Sequence, residues 1–224
     1  MNRLNSYISS SLVAAAAIGT FAFATADAPA EIVDVTINGS VEWNLISSPP
    51  LNGAQVGQAA KLTFTVDSNN FANNPVYPTR GYPIDTASFK LKFPTFEIGL
   101  QNPYPAGQTP YFVLRNNDPA VDGFMVSSGT GFPEGVPLSQ AGGFGQFKNE
   151  FHVTYGGSLL SSLDVLGALG HYDFTGLTVF NWTIDDGPVN ALGILFSDMT
   201  ISVPEPASMG LLTLALPLLA RRRR

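Results

Sequence analysis

Apolar residues alternate with polar ones along most of the chain. Val33, Val35 and Ile37 form one period-two set, and Val41, Trp43 and Leu45 a second. Leu62, Phe64 and Val66 make a third, followed by Phe89, Leu91 and Phe93 and, past Pro94, by Phe96, Ile98 and Leu100. Further strands are expected at Tyr111 to Leu114, Phe124 to Val126, Phe147 to Tyr155, Leu177 to Ile184 and Ile194 to Val203. These runs are short, rich in β-branched and aromatic residues, and punctuated by Gly, Pro, Asn and Asp. The pattern predicts an all-β fold, a two-sheet sandwich or jelly-roll-like domain. One short helix is expected over Ser162 to Leu169, capped by Ser161 or Ser162 and stopped by Gly170. Asn69 to Pro83 and Gly129 to Gly145 lack periodicity and read as long loops.

The two ends depart from this pattern. Arg3 precedes a small, apolar run from Leu12 to Ala24, and Ala24-Thr25-Ala26 places small residues where a signal peptidase cuts. This order is that of a signal peptide over 1–26, cleaved before Asp27. At the other end Pro204-Glu205-Pro206 cannot extend a strand ladder or enter a helix, so it reads as an extended, accessible hinge. Ala207 to Ala220 is apolar on every side but spans only about 21 Å as a helix, against a hydrocarbon core of about 30 Å. Arg221, Arg222, Arg223 and Arg224 then form a membrane stop that remains cytoplasmic while the preceding domain lies outside. The organisation expected is a signal peptide at 1–26, an exported domain at 27–203, and a tail at 204–224 with a short membrane-anchor helix.

Pro204-Glu205-Pro206, the leucine-rich span and the terminal arginines together resemble the PEP-CTERM sorting signal of exported proteins in Gram-negative bacteria. The resemblance covers Val203 to Arg224. It implies recognition of Pro204, Glu205 and Pro206 by an exosortase-like membrane protease, and a transient inner-membrane anchor followed by release to the cell surface or extracellular matrix. It also implies organisms that often make extracellular polysaccharide, a candidate partner.

Composition narrows the chemistry. The 224 residues contain no cysteine, which excludes disulfides, Cys-ligated zinc, iron–sulfur clusters and thiol nucleophiles. Between the two ends, six basic residues face sixteen acidic ones, which argues against a nucleic-acid partner. No G-x-S-x-G elbow, H-E-x-x-H motif or phosphate-binding glycine loop occurs. Of the two histidines, His152 lies in an apolar strand pattern and His171 follows Gly170 at the expected helix end, where the dipole stabilises it. A carboxylate pair for polysaccharide hydrolysis need not be close in sequence, and nothing singles one out. A non-enzymatic structural or adhesive role is the expectation, with no cofactor unless calcium.

Two chemistries remain as alternatives. Asn116, Asp118 and Asp122 offer side-chain oxygens within one acidic loop, and Asp185-Asp186 two more, a composition that suits calcium and equally suits ordinary turns. Tyr77, Tyr82 and Tyr104, with Tyr111, fall in or beside loop-like sequence and are candidates for stacking on glycan rings. Both tryptophans, Trp43 and Trp182, are expected in the core.

Overall fold

A computed structural model describes residues 30–204, apart from 119, 176, 178, 179, 188 and 189 and the side chains of Phe180 and Asn181. The signal peptide, Glu205 and Pro206, the apolar span and the four terminal arginines lie outside the described residues. Among those described, no helix is long and apolar enough to cross a membrane.

The expected all-β architecture is present. The strands are β1 (Ile32–Asn44), β2 (Ala59–Asp67), β3 (Ala72–Asn73), β4 (Thr79–Pro83), β5 (Lys90–Lys92), β6 (Glu97–Ile98) and β7 (Tyr111–Arg115). They continue with β8 (Val121–Ser127), β9 (Val136–Ala141), β10 (Gln146–Gly156), β11 (Gly170–Asp173), β12 (Phe180–Asp185) and β13 (Ala191–Ser202). All pairings are antiparallel, in the order β3-β4-β7-β8-β10-β12-β13-β1-β2-β5-β6, with β9 beside β10 and β11 beside β13.

One continuous ladder therefore replaces the two separate sheets expected from sequence. The cause is the length of β1 and β13, which pair along almost their whole extent and serve both halves. β13 holds β12 through Ala191 to Gly193 and β11 through Asp198 to Ile201. Register shifts at Asn38/Gly39 and Val41/Trp43 bend the long pair, as β-bulges do. The sheet coils until its halves face each other. Isolated bridges Val66–Ile84 and Leu100–Leu138 join strands distant in the ladder, and the Phe64 and Phe112 rings meet at 5.4 Å.

A single core fills the interior. Phe64, Phe89, Phe112 and Phe124 stack through one half, while Phe151, Phe174, Trp182 and Phe196 interlock edge-to-face in the other. Burying each such side chain contributes about 1.5–3 kcal/mol. The indole Nε1 of Trp182 donates to Asn149 Oδ1 at 2.9 Å, which satisfies a polar atom inside the core.

Several local expectations are corrected. Trp43 is 37% exposed, not core, because the bulge after Val41 turns it to the outer face, where its ring lies over Gly193 of β13. The short helix is a 3-10 turn at Val165–Ala168, capped by Asp164, whose carboxylate accepts the Leu166 N–H at 3.0 Å. His171 consequently lies at no helix end; it sits in β11 with Nδ1 3.2 Å from Thr200 Oγ1. The segments expected as loops carry β3, β4 and β9.

Candidate functional site

β7 and β8 are buried on both faces. Phe112 and Leu114 of β7, and Phe124 and Val126 of β8, point into the core. Val113 and Met125 alternate with them, face outward, and are still buried. The segment from Ser128 to Gly135 lies over this face: Thr130 Cγ2 stands 2.7 Å from where a Cβ on Gly81, the partner of Val113, would be, and Gly131, Phe132 and Pro133 border Met125. Ser127, itself fully buried, pins that segment: its hydroxyl donates to Phe132 O at 2.7 Å and accepts the Gly129 and Glu134 N–H groups at 3.2 and 2.9 Å. The Thr79 hydroxyl donates to Thr130 O, and Asn74 Nδ2 donates to Thr130 Oγ1 at 3.2 Å. The Tyr77 and Phe132 rings close the arrangement edge-to-face, with centroids 4.8 Å apart at 70°.

The register of four strands sets the floor beneath. Gly81, Val113, Met125 and His152 form one outward row across β4, β7, β8 and β10, and Thr79, Arg115, Gly123 and Thr154 the next. Between floor and covering segment lies a cleft of about 310 Å³. Tyr77, Phe132 and Pro133 supply its apolar wall, and Arg115, Asp118, His152 and Thr154 its polar groups. Arg115 Nε donates to Asp118 Oδ2 at 3.0 Å, and both side chains keep some exposure, 33% and 19%. Burial pushes the His152 imidazole below its usual value, and the neighbouring Arg115 charge lowers it further. The neutral form of His152 is therefore favoured, and among the described residues its shielded Nδ1 has no hydrogen-bond partner. Chemically, the cleft offers an aromatic face, a fixed donor–acceptor pair and an imidazole.

The other side of the Ser128 to Gly135 segment borders a polar groove of about 480 Å³, lined by Gln101, Gln108, Glu134, Gln146, Lys148 and Glu150 among others. Burial, then the Asp185 charge, raises the Glu150 carboxyl above its ordinary range against the pull of Lys148.

Of the tyrosines singled out from sequence, only Tyr77 enters the cleft. Tyr82 is fully buried; its hydroxyl donates to Leu163 O at 2.8 Å and accepts the Val165 N–H at 3.0 Å, so no ring face is open to a glycan. Tyr104 is half-buried with its hydroxyl 3.0 Å from Ser128 Oγ, and burial raises its pKa. Tyr111 lies half-buried beside Gly81. Arg115 and His152 escape a reading by composition because strand register brings them together, and Phe132 because the segment pinned by Ser127 carries it over them.

The candidate calcium oxygens are turned to different partners. Asp122 is fully buried; Oδ1 accepts the Asn117 N–H at 2.8 Å, and the other oxygen accepts those of Leu159 and Leu160. Asp118 holds Arg115, and Asn116 Oδ1 accepts Asn117 Nδ2 at 2.8 Å. Asp186 ties the Phe144 N–H at 3.2 Å and Asn190 Nδ2 at 2.7 Å. Among the described residues, no group of three or more His, Asp or Glu is placed to hold a metal ion. Pro204 is exposed just beyond the end of β13.

Compared with known protein families, with curated proteins and with solved structures, the chain matches none.

Proposed function

We propose that the chain is an exported, non-enzymatic β-domain, cut by signal peptidase, tethered briefly at the inner membrane and sorted by an exosortase-like protease to the surface or matrix of a Gram-negative bacterium. Its role there is structural or adhesive. One observation supports the sorting reading most. The last ladder residue is Ser202, Val203 is half-buried and Pro204 is exposed, so a recognition motif at Pro204-Glu205-Pro206 begins just past the last strand pairing. A protease needs an extended, accessible segment, and prolines two apart hold one.

The adhesive version of this role is favoured by the outer-face cleft, where Phe132 is 58% exposed beside Tyr77. An exposed aromatic held in place by a pinned segment is a surface for contact.

The test follows the full chain in an exosortase-bearing host and in the same host lacking the protease. Mass spectrometry of surface material should find no peptide containing Arg221 to Arg224 in the first. The second should retain the tail in the membrane fraction. Mature surface protein carrying the intact tail would overturn the sorting proposal.

A further inference from the structure

We propose that the outer-face cleft formed by Tyr77, Phe132, Arg115, Asp118 and His152 binds a neutral sugar ring of a polysaccharide. This deepens the adhesive reading by naming what the surface holds, and rests on that reading only for its biological purpose.

The chemistry of the lining selects the ligand. A pyranose presents an apolar C–H face and a rim of hydroxyls. The Tyr77–Phe132 wall matches the first and the polar groups the second. Arg115 is held at Nε by Asp118, which leaves its terminal nitrogens as donors in a fixed direction, while Asp118 remains an acceptor beside them. Adjacent hydroxyls, each both donor and acceptor, satisfy such a pair without bringing a charge. The cleft is at the small end of ligand-binding pockets, which run about 300–1,000 Å³, so it suits one or two rings.

Charge decides between neutral and acidic sugars. Arg115 and Asp118 cancel locally, the neutral form of His152 is favoured, and the domain as a whole carries ten more acidic than basic residues. A uronate polymer would meet a repulsive field and, in the cleft lining, an arginine already paired with Asp118. A neutral glycan meets neither obstacle.

The cleft is also built in advance. Ser127 and Thr79 fix the segment that carries Phe132, so little ordering accompanies binding.

The experiment titrates the full chain, purified in mild detergent, with neutral glucans, galactans and mannans and, in parallel, with polygalacturonate, by calorimetry. Binding to at least one neutral glycan and none to polygalacturonate is expected. Phe132→Ala and Arg115→Gln should each weaken it about tenfold or more, a loss of about 1.4 kcal/mol. Trp43→Ala, at an exposed aromatic outside the cleft, should bind as the parent does. Thermal unfolding of each variant confirms that it is folded, and Tyr77→Ala replaces any that is not. The proposal is overturned by absence of binding to all three neutral glycans, by a preference for polygalacturonate, or by folded Phe132→Ala and Tyr77→Ala proteins that bind unchanged. Purified protein is used, so a failure here is distinct from a failure of sorting in the host.

Discussion

Replacing Asp122 with asparagine separates a structural pin from a metal ligand. The side chain is fully buried at the start of β8 and joins two segments far apart in sequence, Asn117 on one oxygen and Leu159 with Leu160 on the other. Asn117 also carries a left-handed φ of 55°, a conformation uncommon for a residue with a side chain, so its N–H bond helps to hold an unfavourable turn. Asparagine keeps the shape but accepts at only one of the two positions. Its best orientation turns the amide oxygen to Leu159 and Leu160 and sets its NH2 against the Asn117 N–H. One charge-assisted bond is lost and one buried donor is left unsatisfied, at a cost of about 1–3 kcal/mol. Alanine loses all three bonds and costs roughly 3–5 kcal/mol. In a domain of this size 1 kcal/mol moves the unfolding midpoint by about 2–4 °C, so a mid-range loss of about 2 kcal/mol lowers it by about 4–8 °C. The assay is calorimetric melting of parent and variants in calcium and in chelator. The two parent curves should coincide, since both Asp122 oxygens already serve backbone donors. A variant midpoint within about 1 °C of the parent would refute the reasoning. So would a calcium-dependent rise in the parent that Asp122→Asn abolishes.

Three further outcomes are expected. Tyr82→Phe strands the Leu163 carbonyl and the Val165 N–H inside the core, and should lower stability in urea by about 2–4 kcal/mol while leaving any glycan binding unchanged. Gly39→Ala would put a Cβ 2.7 Å from Leu195 O and Phe196 Cα at the bulge, and should cost about 1–3 kcal/mol in the same assay; an unchanged midpoint would mean that the bulge has slack. The folded value of His152 lies below the unfolded value of about 6.5, so its contribution to stability is present above that value and is lost as pH falls towards the folded one. Urea unfolding followed from pH about 7.5 down to about 5 should therefore show a shallower fall for His152→Gln than for the parent, and equal slopes would remove the burial argument.

The strands that could be read from sequence are those with one face on the core and one in water. Val33, Val35 and Ile37, like Leu62, Phe64 and Val66, alternate because of this. β4 and β9 were hidden by the residues that serve them. Gly81 is required in β4 because Tyr111 and Thr130 occupy the space a Cβ would take, and Pro137 of β9 joins the neighbouring segment through its carbonyl, which accepts the Gln101 N–H at 2.9 Å. Trp43 leaves the expected core position because a bulge shifts the alternation by one residue, and a bulge leaves no mark in composition.

The cleft is harder to read because its residues come from β7, β8, β10 and three connecting segments, and only register sets Arg115 across Gly123 from Thr154. Yet one sign of it is present in the sequence. Phe112-Val113-Leu114 and Phe124-Met125-Val126 are unbroken apolar triplets, whereas a strand with one wet face alternates. Such triplets in neighbouring antiparallel strands require cover on both faces. The core supplies one side, and here the other is supplied by the segment after β8 together with Asn74 and Tyr77. The glycine-rich stretch directly after β8 fills that role, anchored by Ser127 at its root. A cover segment that is too short to seal the face leaves a gap at its margin, and the side chains at that margin, Arg115, Asp118, His152 and Phe132, form the lining of the cleft. The position of a surface site thus follows from where alternation fails, even when the residues that do its chemistry cannot be named in advance.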